Sequence, residues 1–453
     1  MKKKRLLSLS TTQIIMFSFL IAIFLGSILL SLPISSADGN AVPYIDALFT
    51  ATTATCVTGL VTVTTATSWS IFGQIVILIL IQIGGLGIIT VMAGIMIALK
   101  RKMGLSDRLL IQDAFNLNTL SGLVQFIKKV LKGTFLIESI GAILYMFVFI
   151  PDFGMRGIWI SVFNSISAFC NAGIDIFAED SFCRYATNPL INAVTGALII
   201  LGGLGYIVWW DVIRVFKNYK AQKFRCVKSL SLHSKIALAS TFVLIVSGAL
   251  IIFLFEYSNP QTIGEMNLFD KIQISLFQSI TTRTAGFATV PQENLTNGSA
   301  VICLLLMFIG GSPVGTAGGI KTVTITVLAA SAWSTVKNRN EITLFDRNIS
   351  KEALRKAIAV TCTSFFIMFT STILLSAVTD ADALDIVYET VSATATVGLT
   401  RNLTSVLDIW GKIIIIATMY LGRIGPISLA IAFAMGKDNE NIIKNPTEKI
   451  SVG

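Results

Sequence analysis

Four short stretches of the chain share one chemical signature, a small or hydroxyl-bearing pair followed by a glycine. They read TCVTGL at 55–60, FCNAGI at 169–174, TRTAGF at 282–287 and TATVGL at 394–399. Such a turn brings no nucleophile and no paired carboxylates, so its chemistry must come from the backbone. Glycine takes positive φ at no steric cost, and Gly59, Gly173, Gly286 and Gly398 therefore let neighbouring peptide groups aim their carbonyls at one axis. Carbonyls so arranged, from Val57, Thr58, Asn171, Ala172, Thr284, Ala285, Thr396 and Val397 with their glycines, replace the hydration shell of a cation. The fourth stretch alone contains T-V-G, the tripeptide of potassium-channel filters.

The rest of the sequence sets these turns in a membrane. Of 453 residues 54% are hydrophobic and 13% charged, about half the charge of a soluble domain. No charged residue lies between Arg5 and Asp38, between Asp46 and Lys100, or between Arg184 and Asp211. A span needs about 20 apolar residues; the second interval is too long for one span and includes a threonine-rich stretch. The basic start MKKKRLL and the apolar run from Ile14 to Ile34 resemble a signal peptide, but the run exceeds the core of ~7 to 15 residues typical of one, and it has counterparts later in the chain. It reads as a retained first helix. Six cysteines without C-x-x-C spacing and a single histidine, His233, indicate neither a metal site nor a disulfide framework.

Each turn follows a short segment with an apolar–aromatic pair (ALFTATTA, SVFNSISA, SLFQSIT, IVYETVSA). Each precedes, by about 25 residues, a second glycine cluster: IGGLG at 83–87, LGGLG at 201–205, IGGSPVG at 309–315 and LGRIG at 421–425. The chain thus reads as four copies of one unit: residues 1–110, 111–225, 226–345 and 346–436, with a C-terminal tail at 437–453. Each unit parses as span, half-helix, glycine turn, span. First helices are expected over 13–33, 130–150, 235–255 and 357–378. Half-helices too short to cross are expected over 43–54, 157–168, 268–281 and 384–394, and second spans over 69–99, 190–216, 300–336 and 409–435. The fold class is an all-α membrane protein: four fused span–pore-loop–span repeats, with eight transmembrane helices and four re-entrant half-helices around a pseudo-fourfold pore.

Eight spans place both termini on one side. Of 35 Lys and Arg, 27 fall in the N-terminal tail, the loops near 100–132, 214–235 and 337–356, and the C-terminal tail, which the positive-inside rule assigns to the cytoplasm. The net charge of +10 then follows from topology and does not indicate nucleic-acid binding. The opposite face carries Asp38, Asp46, Asp152, Asp175, Glu179, Asp180, Glu265, Glu293, Asp380, Asp382, Asp385 and Glu389, which concentrate cations locally. Each half-helix directs the negative end of its dipole at the axis, which again favours a cation.

A lone T-x-G would signify only close helix packing, but packing glycines leave the four polar half-helices unexplained. Non-helical backbone at membrane depth is tolerated only when buried in protein or lining water. The third second span is broken by GGSPVGTAGGIKT at 310–322, whose five glycines and proline disfavour helix. Gly315 to Thr322 nearly matches a phosphate loop, yet Ile320 stands where the final glycine is required and no strand precedes it. Residues Gly310, Gly311, Ser312, Gly315, Thr316, Gly318, Gly319 and Lys321 therefore read as a loop across the path below the turns. Two intramembrane arginines need partners. Arg283 reads as a strut behind the third turn, paired with Glu389 or Asp175. Arg423, which aligns with Gly85, Gly203 and Gly311, reads as a gating residue beside the loop. Glu138 reads as interfacial.

The turn set together with TTRTAGF, GGSPVGTAGGIKT and LGRIGP resembles the Trk/Ktr/HKT superfamily of potassium transporters over nearly the whole length. The eight-span size is similar to the membrane subunits of bacterial Ktr systems, KtrB and its paralogue KtrD fitting equally. The resemblance implies potassium uptake across the bacterial plasma membrane, sodium stimulation, and the intramembrane loop as gate. It also implies a homodimer docked on a cytosolic KtrA-like RCK ring that binds ATP or ADP, and a C-terminal tail at the dimer interface. No covalent cofactor and no catalysed reaction is expected. The alternative is a sodium-selective or coupled cation symporter; plant sodium carriers of the superfamily have serine at one filter position, whereas all four positions here are glycine.

Overall fold

The structure is a computed structural model, described here for residues 11–101, 104–114, 122–217, 228–339 and 341–425. Its elements repeat one order four times. A long outer helix comes first, over Thr11–Leu30, Leu123–Phe153, Leu232–Glu256 and Lys351–Ser376, and all four are long and apolar enough to cross a membrane. Their lipid-side character shows in large exposed aromatics on each, among them Phe24, Phe147, Phe242 and Phe366. With no water in the bilayer core, exposure of such groups costs nothing and backbone bonds must close within the helix.

A short pore helix follows, over Tyr44–Cys56, Arg156–Cys170, Leu268–Thr281 and Ala383–Ala395. At 1.5 Å rise per residue these span roughly 20 Å, too little to cross. Their aromatic residues Phe49, Phe163, Phe277 and Tyr388 are all buried, as are hydroxyl residues such as Thr52, Thr53, Ser165, Ser167, Ser279 and Ser392. Protein encloses the last turn of each of these helices, where polar residues are sheltered from lipid, whereas side chains nearer the start reach the surface, among them Tyr44, Phe269, Ile272 and Leu276.

Inner helices then begin at Ile71, Pro189, Asn297 and Ile409. Each start is fixed by a side-chain cap. Ser70 accepts from the Gly73 amide, Asn188 from Leu190 and Ile191, Thr296 from Ser299 and Asp408 from Gly411, satisfying amides that the first turn leaves unpaired.

The inner helices depart from the sequence expectation of continuous second spans. In the first two repeats they run Ile71–Leu86 and Pro189–Gly203, then turn by 99° and 100° into Ile88–Ala98 and Tyr206–Lys217. The bends sit at Gly87 (φ +82) and Gly205 (φ +86), the last residues of the IGGLG and LGGLG clusters. Glycine there permits a backbone angle that would strain any other residue. In the third repeat, as expected, the helix breaks between Asn297–Phe308 and Thr322–Val336. In the fourth it runs Ile409–Ile424 and reaches Gly425 at φ +90; the remainder of the expected span and the tail at 437–453 lie outside the described residues. Two further departures are a helix at Leu105–Ala114 and a short hairpin pairing Thr343–Leu344 with Arg347–Asn348, both in segments expected to be loops.

The first and last units meet through side chains. Lys412 on the fourth inner helix donates to Asp46 on the first pore helix at 2.7 Å, and Tyr420 donates to the Met16 carbonyl at 3.1 Å. These contacts close the four units into a ring without a covalent link.

Candidate ion pathway

Three pore helices are capped by a left-handed residue, and the third reaches one three residues past its end. Val57 (φ 56), Asn171 (φ 60), Thr284 (φ 68) and Thr396 (φ 52) hold positive φ although none is glycine, and the turn glycine two residues later is positive again, at 99°, 65°, 83° and 97° in chain order. The residue between them is not left-handed in any repeat. Alternating hand aligns successive peptide planes so that their carbonyls face one side. Non-glycine residues in this region cost on the order of 1–3 kcal/mol each and persist only where the surroundings impose them. The sequence pointed to the glycines; the strained partners were visible only in three dimensions.

Hydroxyls in the last turns of the pore helices hold this geometry, and the sequence reading passed over them. Thr53 Oγ1 accepts from the Gly59 amide at 2.9 Å and Ser392 Oγ from the Gly398 amide at 3.0 Å. Ser167 Oγ accepts from Ile174 N at 3.1 Å and donates to Ile174 O at 2.6 Å. Thr281 donates to Phe287 O at 2.6 Å. A serine or threonine five or six residues before each glycine is the signal that marks them.

The four turns converge. A β-carbon built on Gly59 would stand 2.6 Å from Ala172 O, on Gly173 2.5 Å from Ala285 O, and on Gly286 2.5 Å from Val397 O; on Gly398 it would crowd Thr58 O. Each glycine therefore lies against the carbonyl that precedes the next repeat's glycine, and the cycle closes from the fourth repeat to the first. All four glycines also line one cavity of about 300 Å³, walled by Asp175, Glu179, Asp180 and Glu293. Of the carboxylates expected on that face, only these four line the cavity. Asp46 and Asp385 are engaged by Lys412 and Arg401, and buried Glu389 accepts from Thr400 and Thr404. Burial raises the Asp175 carboxyl to about 7, with a hydrogen bond from Ser181 acting in the opposite direction.

Below the turns the third inner helix gives way to a loop at 309–321. It leaves and returns through a bridge between Ile309 and Ile320, with Gly310 N on Ile320 O at 3.0 Å and Ile320 N on Phe308 O at 3.1 Å. Between these ends it crosses to the second repeat, where Ser312 N meets Gly203 O at 2.8 Å and Thr316 N meets Gly202 O at 3.1 Å. It then returns past the fourth turn, where a β-carbon on Gly318 would collide with Thr396 Oγ1. Gly311 and Gly203 pack against each other, and Ala317 fills the space beside both. Ser312 and Thr322 share a hydroxyl bond of 2.9 Å, Gly319 sits at φ +64, and Gly315 lies against Gly202 and Gly205. Lys321 Nζ donates back to Ala317 O at 2.5 Å.

Arg423 reaches this loop, as its position in the sequence suggested. It donates to Thr316 O at 2.7 Å and to Gly84 O at 2.6 Å, joining the fourth repeat to the loop and to the first. Arg283 corrects the expectation. Its guanidinium donates to Gly310 O at 3.1 Å and forms an ion pair with neither Glu389 nor Asp175; both intramembrane arginines grip the loop backbone. Glu138 is likewise not interfacial. It is buried and accepts from Gln82 Nε2 at 3.1 Å. The remaining signal in the second glycine clusters is close approach: Gly84, Gly202 and Gly422 each pack so tightly against Thr55, Phe169 and Thr394 carbonyls that no side chain would fit.

Four helix-backed turns meeting on one axis, an acidic mouth on one side and a backbone loop across the other define a pore-loop membrane transporter. The TrkH family profile, described as a cation transport protein, matches residues 3–444, and the chain belongs to that family. It is 40% identical over 442 residues to the Ktr system potassium uptake protein B of Bacillus subtilis, covering 97% of this chain and 96% of the relative. It is 36% identical over 459 residues to the potassium/sodium uptake protein NtpJ of Enterococcus hirae, covering 100% and 99%. Among solved structures, the potassium transporter TrkH from Vibrio parahaemolyticus superposes with a TM-score of 0.74 at 17% identity, over 96% of this chain and 87% of that one.

Proposed function

We propose that this chain is the potassium-conducting membrane subunit of a Ktr-type uptake system in the bacterial cell membrane, with both termini cytoplasmic. The observation that supports it most is the closed cycle of glycines against carbonyls from Thr58, Ala172, Ala285 and Val397, which places backbone oxygens of all four repeats around one axis. Carbonyl oxygens in that arrangement substitute for water around a desolvated monovalent cation. In this reading residues 57–59, 171–173, 284–286 and 396–398 form the selectivity filter. The loop from Gly310 to Lys321, clamped by Arg283 and Arg423, is the gate. The four units bounded at 110, 225, 345 and 436 are the repeating elements of the pore.

The name of the Bacillus relative, a Ktr system protein, supports a partner component. We take that partner to be a cytosolic RCK-type ring that binds ATP or ADP and acts on the gate of a homodimeric membrane subunit, with sodium as activator. A sodium-carrying mode is the second reading, favoured by the potassium/sodium designation of the Enterococcus relative. Rubidium uptake by the purified protein in liposomes, competed with potassium or sodium and measured with and without a ring subunit, separates these readings. Potassium competition at concentrations where sodium has no effect supports the proposal, and equal competition by sodium refutes potassium selectivity.

A further inference from the structure

Of the four residues standing two before a turn glycine, Val57 and Thr284 and Thr396 have short side chains, whereas Asn171 carries an amide. That side chain is fully buried on a left-handed residue. Its Oδ1 lies 3.0 Å from Thr316 Oγ1, and the same hydroxyl lies 3.1 Å from Phe169 O in the last turn of the second pore helix. The amide nitrogen of Asn171 has no hydrogen-bond partner among the described residues. With either orientation of the amide, one threonine hydroxyl ties the second turn and its pore helix to the intramembrane loop. The space for this contact is made by Gly202, where a β-carbon would stand 2.7 Å from Thr316 Oγ1 and 2.8 Å from Asn171 Oδ1.

Thr316 faces the other way with its main chain. Its carbonyl accepts from Arg423 at 2.7 Å and its amide donates to Gly202 O at 3.1 Å. The residue held most directly by the clamp is thus the residue whose side chain supports the second turn. Every turn has a hydroxyl of its own pore helix, Thr53 and Ser392 on the glycine amides and Ser167 and Thr281 on the residue after the glycine, but among the described residues only the second also takes a side-chain hydroxyl from the loop. Where the loop passes the fourth turn it presents Gly318, which has no side chain to bond the Thr396 hydroxyl.

We propose that the Asn171–Thr316 contact couples ion affinity to the position of the loop through the second repeat. With the loop seated, Thr316 holds Asn171 and the Phe169 carbonyl, and the second turn keeps the geometry that binds the cation. When the loop leaves, that support goes with it and the turn binds the cation less tightly. Asn171 acts here as a positioning residue and not as a ligand. Linkage is reciprocal, so a cation held in the turns stabilises the seated loop. The inference rests on the reading of the turns as a potassium filter.

The test is potassium binding to the purified full-length protein by isothermal titration calorimetry in choline buffer, with the potassium-dependent rise in thermal midpoint as a second readout that needs less material. Thr316→Val removes the hydroxyl at constant shape and Thr316→Ser restores it; both are made in the native chain and in Arg423→Ala. Loss of one hydrogen bond predicts about fivefold weaker binding for Thr316→Val, near-native binding for Thr316→Ser, and no difference between Val and Thr once Arg423 is alanine and the loop is released. Unchanged affinity in Thr316→Val overturns the coupling. So does an equal weakening in both backgrounds, which makes the contact a static prop. Should Thr316→Val not fold, Thr316→Ala is put through the same cycle. A native protein that binds potassium no better than sodium defeats the filter reading itself, which is a different result from a native protein whose affinity ignores Thr316.

Discussion

Replacing a turn glycine by serine tests the pore directly, and Gly286→Ser allows the effect to be worked from the structure. A β-carbon at this position would stand 2.5 Å from Val397 O and 3.2 Å from the α-carbons of Gly173 and Gly398. The first distance is nearly an ångström short of the 3.4 Å at which ordinary contact begins. The turn backbone must move by a comparable amount, and the carbonyl it displaces is one of those on the axis. The residue also sits at φ +83, where a side chain costs roughly 1–2 kcal/mol, and forced overpacking adds about 1–3 kcal/mol. If half of that distortion is felt only with the ion bound, about 1–2.5 kcal/mol, the half-saturating potassium concentration rises roughly fivefold to seventyfold, since each ~1.4 kcal/mol is a factor of ten. Potassium-to-sodium preference falls with it, because a displaced carbonyl no longer fits the larger ion. Gly59→Ser, Gly173→Ser and Gly398→Ser behave alike, by the near-symmetry of the cycle. Gly154→Ala is the control: it shares positive φ (+60) but has nothing within 4 Å of the new carbon, so it carries the backbone strain without the carbonyl clash. Competition of rubidium uptake by potassium and sodium in liposomes reads the result. Native preference in all four serine variants refutes the assignment of the turns, and a Gly154→Ala protein as impaired as they are refutes the carbonyl argument.

Removing the loop clamp by Arg423→Ala, or deleting residues 312–318, raises basal potassium flux and lessens its dependence on a ring subunit. Lost flux in well-folded variants of both kinds shows that the loop supports the turns and does not block the path. The Asp175 carboxyl, raised to about 7 by burial, is largely neutral at pH 6 and largely ionised at pH 8, so cation supply at the mouth and flux at low potassium increase over that interval. Asp175→Asn abolishes this part of the pH dependence, and an unaltered profile removes Asp175 from the account. The same sign makes Asp175 a stability cost as pH rises from about 4 through 7, because the folded state favours its protonated form. Trimming residues 449–453 weakens the dimer in light scattering if the tail lies at the subunit interface; an unchanged mass excludes that role.

What the sequence determined by itself is the set of local and statistical features. Long charge-free intervals predict spans because bilayer thickness fixes helix length. Fourfold recurrence of glycine after a polar half-helix predicts the turns because few residues tolerate their backbone angles. The break at 310–322 was legible for the same reason, since glycine and proline density disfavours helix whatever surrounds it. Tertiary structure alone decided which groups meet. Arg283 and Glu389 stand in neighbouring repeats with opposite charges, yet the arginine binds a loop carbonyl and the glutamate accepts two threonine hydroxyls. A peptide oxygen can satisfy a buried guanidinium and a hydroxyl a buried carboxylate, so opposite charges need not pair, and one-dimensional spacing does not show which partner lies within reach. The right-angle bends at Gly87 and Gly205 were hidden because an apolar run reads the same whether straight or folded. The left-handed Val57, Thr284 and Thr396 were hidden because β-branched residues disfavour that region, and only Asn171 is of a type that visits it readily. Only the convergence of four repeats on one axis imposes that conformation, and convergence is a property of the assembled ring.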